Sequence, residues 1–148
     1  MAASAFVIFD KAKEYLMDGT IDLDTNTFNI TFWTSATALS AGIASTLTQL
    51  ASAATQVSSG NGYAAGGAAL TGVTWGSGAS AGQKKFDASD YVITASGGQI
   101  ENIKYAVIHE ASSGAVLCYS RLTDTQFTLA DGSTLTVQFN ASGIFTLT

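Results

Sequence analysis

The stretch Gln126-Phe-Thr-Leu-Ala-Asp-Gly-Ser-Thr-Leu-Thr-Val-Gln-Phe-Asn140 decides the predicted fold class of this 148-residue chain. Apolar residues alternate with polar ones on both sides of Asp131-Gly132, and a period of two is typical of half-buried strands. Asp-Gly favours tight hairpin turns, because glycine adopts positive φ without steric cost. The stretch therefore predicts a β-hairpin with strands Gln126–Leu129 and Thr134–Asn140.

Short strand patterns of the same kind fill the chain on both sides of this stretch, separated by glycine-containing turns. Many short strands at close spacing favour an antiparallel arrangement over parallel βαβ units. We expect one mainly β domain over residues 1–148, an antiparallel β-sandwich or a barrel-like domain. The other predicted strands are Thr27–Thr34, Leu70–Trp75, Lys84–Phe86, Tyr91–Ala95, Ile103–Glu110, Ala115–Arg121 and Ile144–Leu147.

Two short helices are predicted in the amino-terminal half. Residues 5–17 carry an apolar stripe at helical spacing, and Gly19 follows at a position where glycine is favoured after a helix. A second apolar stripe with helical spacing of four and three residues is formed by Ile43, Leu47 and Leu50. This spacing predicts a helix over Ala41–Ala51.

The run from Thr25 to Gln83 contains no Asp, Glu, Lys, Arg or His, and includes the glycine-rich loop Gly60-Asn-Gly-Tyr-Ala-Ala-Gly-Gly67. Charged residues make up 11% of the chain, against about 25% in typical soluble domains. An uncharged surface suits contact with other protein, because it leaves no unpaired charge in an interface. The candidate interface residues are Leu47, Leu50, Asn61, Tyr63 and Trp75.

Charge and hydropathy argue against two classes of partner. The net charge is −5, and Lys84-Lys85 is the only adjacent basic pair, so we expect no nucleic-acid partner. No window approaches the roughly 20 apolar residues that span a bilayer, so we expect no membrane partner. The segment Met1-Ala-Ala-Ser-Ala-Phe-Val-Ile-Phe-Asp10 lacks a basic region and is not expected to be a signal peptide.

The titratable residues form no recognisable catalytic pattern. His109 lies in a predicted strand without a nucleophile motif such as Gly-x-Ser-x-Gly, and Cys118 lies among apolar residues where a small buried side chain is usual. Asp22 and Asp24 offer oxygen ligands, but the segment lacks the glycine and closing glutamate of an EF-hand, which favours a solvated turn. We expect no enzyme, no catalytic residue, no cofactor and no metal, with a metal near Asp22 and Asp24 left open.

A glycan-binding module is an alternative if aromatic side chains are exposed. Tyr63 on the glycine loop and Trp75 are the main candidates, with Trp33 and Tyr91 as further ones. Aromatic residues at strand spacing are more often part of the core. The core interpretation is therefore favoured.

The order of these segments resembles a family of small structural proteins of tailed bacteriophages, found as head decoration (capsid cement) proteins or other minor virion components. The likeness covers nearly the whole chain, and its most specific part is the Gly-x-Gly-Tyr-x-x-Gly-Gly-x-x-Leu run from Gly60 to Leu70. Weaker likenesses lie in Phe86-Asp-Ala-Ser-Asp-Tyr-Val92 and Ser142-Gly-Ile-Phe-Thr-Leu147. Asn61 stands where the family pattern has Ser or Thr.

The resemblance implies a non-enzymatic virion protein that is assembled in the host cytoplasm. The favoured role is a head decoration or cement protein that stabilises the capsid shell through oligomeric contacts. Its partners would be copies of itself, with a trimer as one option, and the major capsid protein. A tail, neck or fibre component is the alternative within the virion.

Overall fold

The structure is a computed structural model that describes residues 5–34 and 56–148. Within these ranges one helix and twelve strands form, and every strand pair is antiparallel. The elements in chain order are β1 (Val7–Ile8), α1 (Asp10–Asp18), β2 (Phe28–Trp33), β3 (Ala68–Ala69), β4 (Thr74–Ser77), β5 (Lys84–Asp87), β6 (Tyr91–Thr94), β7 (Ile100–Ile103), β8 (Tyr105–Glu110), β9 (Val116–Arg121), β10 (Phe127–Leu129), β11 (Thr134–Val137) and β12 (Phe145–Leu147).

The predicted mainly β, sandwich-like class is confirmed, and the sheets are not closed into a barrel. The largest sheet has the strand order β1-β9-β8-β2-β3, and a smaller one has the order β12-β5-β4. All six residues of β8 and the first five of β9 are buried. Strands covered on both faces carry continuous apolar sequence rather than alternation, which explains the run Val116-Leu-Cys-Tyr119.

Phe86 joins the small sheet to the large one. It is fully buried on β5, with its ring 5.1 Å from Phe28 of β2 in an edge-on contact and 5.2 Å from Phe145 of β12 in a stacked contact. The register places Phe86 between Trp75 of β4 and Phe145. Since directly paired residues lie on one face of a sheet, the three rings belong to the same face, which is the side that packs toward β2.

The predicted hairpin around Asp131-Gly132 is wrong in its pairing, although the turn is present. Ser133 N–H donates to the Ala130 carbonyl at 2.9 Å, and Gly132 has φ +75. The strands on either side of the turn do not pair with each other: β10 pairs with β7, and β11 pairs with β6. The Asp-Gly turn is therefore the corner of a longer ribbon, in which residues 91–103 run antiparallel to residues 127–137.

The two segments of this ribbon bend at the same place. Ala95 N–H donates to the Ser133 carbonyl at 2.9 Å, and Gly132 N–H donates to the Ala95 carbonyl at 2.8 Å. Asp131 Oδ1 accepts a hydrogen bond from Gly98 N–H at 3.1 Å. A tight turn fixes the chain direction over only a few residues, whereas pairing follows the apolar pattern of whole strands, so the longer ribbon prevails over the local hairpin.

The first predicted helix begins later than expected. Residues 5–17 were predicted to be helical, but Val7 and Ile8 form β1 and pair with β9, and α1 spans Asp10–Asp18. Pairing with a buried strand outweighs the local helical spacing. Gly19 ends the helix in the left-handed conformation, with φ +81, as its position predicted. The predicted helix Ala41–Ala51 lies outside the described residues.

Only the end of the predicted strand Leu70–Trp75 forms, at Thr74 and Trp75 of β4. Ala68–Ala69 pairs with β2, Thr74–Ser77 pairs with β5, and Gly72 between them has φ +62. A residue in this left-handed region interrupts an extended chain, so one apolar run supplies strands to two sheets. The predicted strand Ile103–Glu110 begins too early, because Ile103 ends β7 and β8 begins at Tyr105.

Substitution Phe86→Ala tests the joint between the two sheets. Because the ring is fully buried between two other aromatic rings, we expect a loss of about 3 to 5 kcal/mol in the free energy of unfolding, measured by urea denaturation. Val92→Thr is the control, since Val92 is 57% exposed, and should change stability by less than about 0.5 kcal/mol. A Phe86→Ala loss as small as that of the control would contradict this packing.

Candidate interaction surface

An apolar groove lies on the surface between the end of α1 and the small sheet. Its volume is about 390 Å³. The side chains that form it are Leu16, Met17, Ile21, Leu23, Trp75 and Leu147, with Asp22 at the edge. We call this feature the apolar groove.

The end of α1 and the residues after it form one wall of the apolar groove. After Gly19 the chain reverses, and Ile21 N–H donates to the Tyr15 carbonyl at 2.9 Å. Ile21 and Leu23 are buried, whereas Asp22 between them is exposed. This alternation turns two apolar side chains inward as the floor of the groove and leaves the carboxylate at its edge.

The small sheet forms the opposite wall of the apolar groove. Trp75 on β4 is in register with Phe86, and Leu147 lies two residues beyond Phe145 on β12. Residues two apart on a strand share a face, so Leu147 continues the face that carries Trp75, Phe86 and Phe145. The apolar groove is therefore an outward extension of the core beside Phe86.

The outer part of the groove is open to solvent. Met17 is 89% exposed and Leu147 is 37% exposed, and Trp75 is partly buried. Exposed apolar side chains gathered beside a buried floor, with a polar edge, are typical of protein interaction sites. The groove can receive an apolar side chain from another molecule.

Asp22 closes the turn that edges the groove. Its Oδ2 accepts a hydrogen bond from the Thr25 hydroxyl at 2.7 Å, and its Oδ1 accepts one from Asp24 N–H at 2.9 Å. These hydrogen bonds, the one from Thr25 most of all, lower the pKa of Asp22. Across residues 5–34 and 56–148, no group of three or more His, Cys, Asp or Glu side chains is placed to hold a metal ion.

The sequence-predicted contact residues do not converge. Trp75 lines the apolar groove, whereas Asn61 lines a separate polar cleft of about 270 Å³, where its Nδ2 donates to the Gln99 carbonyl at 2.6 Å. Leu47 and Leu50 lie outside the described residues. Met17 and Leu147 were not predicted; an apolar residue in the last helical turn, outside the apolar stripe, was the available signal for Met17.

Tyr63 is a core residue. It is 5% exposed, its ring lies 5.7 Å from that of Phe32, and its hydroxyl accepts a hydrogen bond from Phe32 N–H at 2.9 Å. Burial raises the pKa of Tyr63 to about 12. The side chain thus has no exposed face for a sugar or a partner, contrary to its selection as a surface residue.

The glycine loop is explained by close backbone packing. A Cβ on Gly67 would lie 2.0 Å from the Ile30 carbonyl oxygen, and one on Gly62 would lie 2.8 Å from the Thr94 carbonyl oxygen. Both residues also have positive φ. Because no side chain fits at either position, these glycines of the Gly60–Gly67 loop are required to seat the loop against β2 and β6.

His109, Glu110 and Cys118 belong to the buried part of the large sheet. The Glu110 carboxylate accepts hydrogen bonds from Ser112 N–H at 3.0 Å and from the Ser113 hydroxyl at 2.7 Å, which closes the turn between β8 and β9. Burial lowers the pKa of His109 to about 4 and raises that of the Cys118 thiol. Within the described residues, His109 Nδ1 has no hydrogen-bond partner.

Comparison with known proteins identifies no relative: no protein-family model, no curated protein and no solved structure matches this chain. Among the described residues, no helix has the length and apolar character needed to cross a membrane.

The buried neutral His109 predicts a pH-dependent stability. Its pKa falls from 6.5 to about 4 on folding, so the unfolded chain binds a proton between these values and the folded chain does not. The contribution of His109 to the free energy of unfolding is fully present above pH 6.5 and is lost as the pH falls toward 4. We expect the free energy of unfolding to drop by about 2 kcal/mol between pH 7 and pH 5, measured by urea denaturation.

The variant His109→Gln provides the control, because it removes the titrating group from both states. Its stability should change much less over the same pH interval, whatever its absolute stability. For Glu110, burial raises the pKa but the hydrogen bonds from Ser113 and Ser112 outweigh it, and the pKa is lowered from 4.5. Its contribution is lost mainly below that interval. An equal pH dependence in both proteins would contradict the assignment to His109.

Proposed function

We propose that this chain is a non-enzymatic structural protein of a bacteriophage virion, and that it decorates the head and stabilises the capsid shell. The observation that carries the proposal is the apolar groove, which offers exposed apolar side chains on a well-packed β domain. The virion as the setting is supported by the sequence resemblance, above all by the run from Gly60 to Leu70. The groove supports a protein–protein contact as the mode of action.

The contact would stabilise a shell by burying apolar surface. Enclosing a side chain as exposed as Met17 contributes about 1.5 to 3 kcal/mol, at roughly 25 cal/mol for each Å² removed from water. Leu147, which is 37% exposed, contributes less. Such a contact is modest in one copy, but it is repeated over a symmetric shell, where the copies act together. The partners would be the major capsid protein and further copies of this chain, with a trimer as one arrangement.

The alternative functions differ in how the structure bears on them. A tail, neck or fibre component would use the same kind of contact at a site of different symmetry. A glycan-binding module loses its main candidate, because Tyr63 is buried, and Trp33 is 1% exposed. Trp75 shares the groove with Met17 and Leu147, an environment that suits an apolar side chain better than a polyhydroxylated ring.

Particles that lack the protein test this function. Purified protein added to them should bind the head and raise the temperature or the osmotic stress at which the shell bursts. Cryo-electron microscopy of the decorated particles should place the density on the head lattice. Unchanged robustness, or density confined to the tail, would contradict the proposed role.

The groove is tested in the same assay with Met17→Asp. A charge at this position would have to be buried in the contact, so binding to the particles should weaken at least tenfold, equivalent to about 1.4 kcal/mol. Val92→Asp is the matched control, since Val92 is an exposed apolar residue that does not line the groove. Equal effects of the two substitutions would exclude the groove as the contact surface.

A further inference from the structure

One carboxylate lines the apolar groove, and two more are sequence neighbours of its lining residues. Asp22 lines the groove, and Asp18 and Asp24 lie on the same segment; all three are exposed. Asp18 Oδ1 accepts a hydrogen bond from Thr20 N–H at 2.8 Å, which fixes that carboxylate at the end of the helix. The hydrogen bonds from Thr20 lower the pKa of Asp18, so the carboxylate is ionised at neutral pH.

The neighbouring lysines are mostly engaged elsewhere. Lys11 pairs with Glu14, and Lys85 pairs with Asp87 at 2.9 Å. Lys13 forms an ion pair with Asp10 within α1.

The carboxylates at the groove keep an excess of negative charge. No ion pair within residues 5–34 and 56–148 includes Asp18, Asp22 or Asp24. Lys84 is in register with Leu147, and Lys11 interacts electrostatically with Asp18 while it pairs with Glu14. These two lysines are outnumbered by the three carboxylates and Glu14. The edge of the apolar groove is therefore anionic.

We propose that the apolar groove binds a segment of a different protein in which a large apolar side chain stands next to lysine or arginine. The apolar side chain lies over Ile21 and Leu23, between Met17 and Trp75, and the cation lies against the carboxylates at the edge. The identification of that partner as a component of a phage shell rests on the proposed function. The chemistry of the contact does not depend on the proposed function.

The charge at the groove argues against two copies of this chain meeting groove to groove. Two copies that met groove to groove would bring six carboxylates together, and like charges at an interface are strongly unfavourable. A basic and apolar segment has the complementary charge. In such contacts the buried apolar anchor sets most of the affinity, while charges at the edge set the association rate and the salt dependence.

Synthetic peptides test the chemistry without any particle. The probe is the peptide Ser-Lys-Phe-Lys-Ser, compared with Ser-Glu-Phe-Glu-Ser and Ser-Lys-Ala-Lys-Ser, each titrated into the isotope-labelled full chain and followed by NMR. We expect the first peptide to shift the signals of Met17, Ile21 and the Trp75 indole. It should bind at least tenfold more tightly than either comparison peptide, and severalfold more weakly when salt rises from about 50 to 500 mM.

Two substitutions separate the apolar and the electrostatic parts. Met17→Ser should weaken all binding at the groove, and Asp24→Asn should weaken binding of the lysine peptide alone, about threefold. Glu101→Gln is the control, because Glu101 is an exposed carboxylate that lines the separate polar cleft. Equal binding of the lysine and glutamate peptides, or no shift at the groove with any peptide, would overturn this inference.

Failure of this inference can be distinguished from failure of the proposed function, because peptide binding and particle binding are measured separately. Protein that binds phage heads without binding the lysine peptide would overturn the inference and leave the decoration role standing. Peptide binding at the groove without any binding to particles would support the inference and count against the decoration role.

Discussion

The packing of Phe86 between Phe28 and Phe145 holds the two sheets in the relation on which the rest of the structure depends. It fixes the small sheet against β2 of the large sheet. The same register that buries Phe86 places Trp75 beside it on β4 and carries Leu147 past the end of the core on β12. The wall of the apolar groove on the small sheet is thus a consequence of core packing, since Trp75 and Leu147 are the outermost positions of a face that is buried elsewhere.

The fold class could be predicted because it depends on short-range patterns. The predicted strands Ile103–Glu110 and Ala115–Arg121 nearly coincide with β8 and β9. Pairing could not be predicted in the same way, because a turn such as Asp131-Gly132 specifies a local change of direction and carries no information about which strand lies alongside. Ala95 and Gly98, more than 30 residues away, complete that corner.

The candidate site was predicted only in part, and the reason is the difference between an uncharged residue and an exposed one. The absence of charge from Thr25 to Gln83 led to both Tyr63 and Trp75, but Tyr63 is buried against Phe32 and only Trp75 borders the groove. Met17 lies outside that run. Its exposure follows from the end of α1 at Gly19, which the sequence does indicate, and from the position of the small sheet, which it does not.

The glycine loop and the apolar groove differ in what the fold requires of them. The glycine loop is shaped by close backbone packing, with Gly67 against Ile30, so its pattern of glycines is a requirement of the fold. The groove has no such structural requirement, because Met17 could be polar without loss of core packing. We propose that a partner covers the Met17 side chain, which is 89% exposed.

The most direct test of that explanation is a photocrosslinker placed at Met17 in assembled phage particles, with a second preparation carrying it at Val92. Mass spectrometry should identify crosslinks from position 17 to another virion protein, at residues next to lysine or arginine, and far fewer from position 92. Equal crosslinking from the two positions, or none from position 17, would contradict the apolar groove as the contact surface.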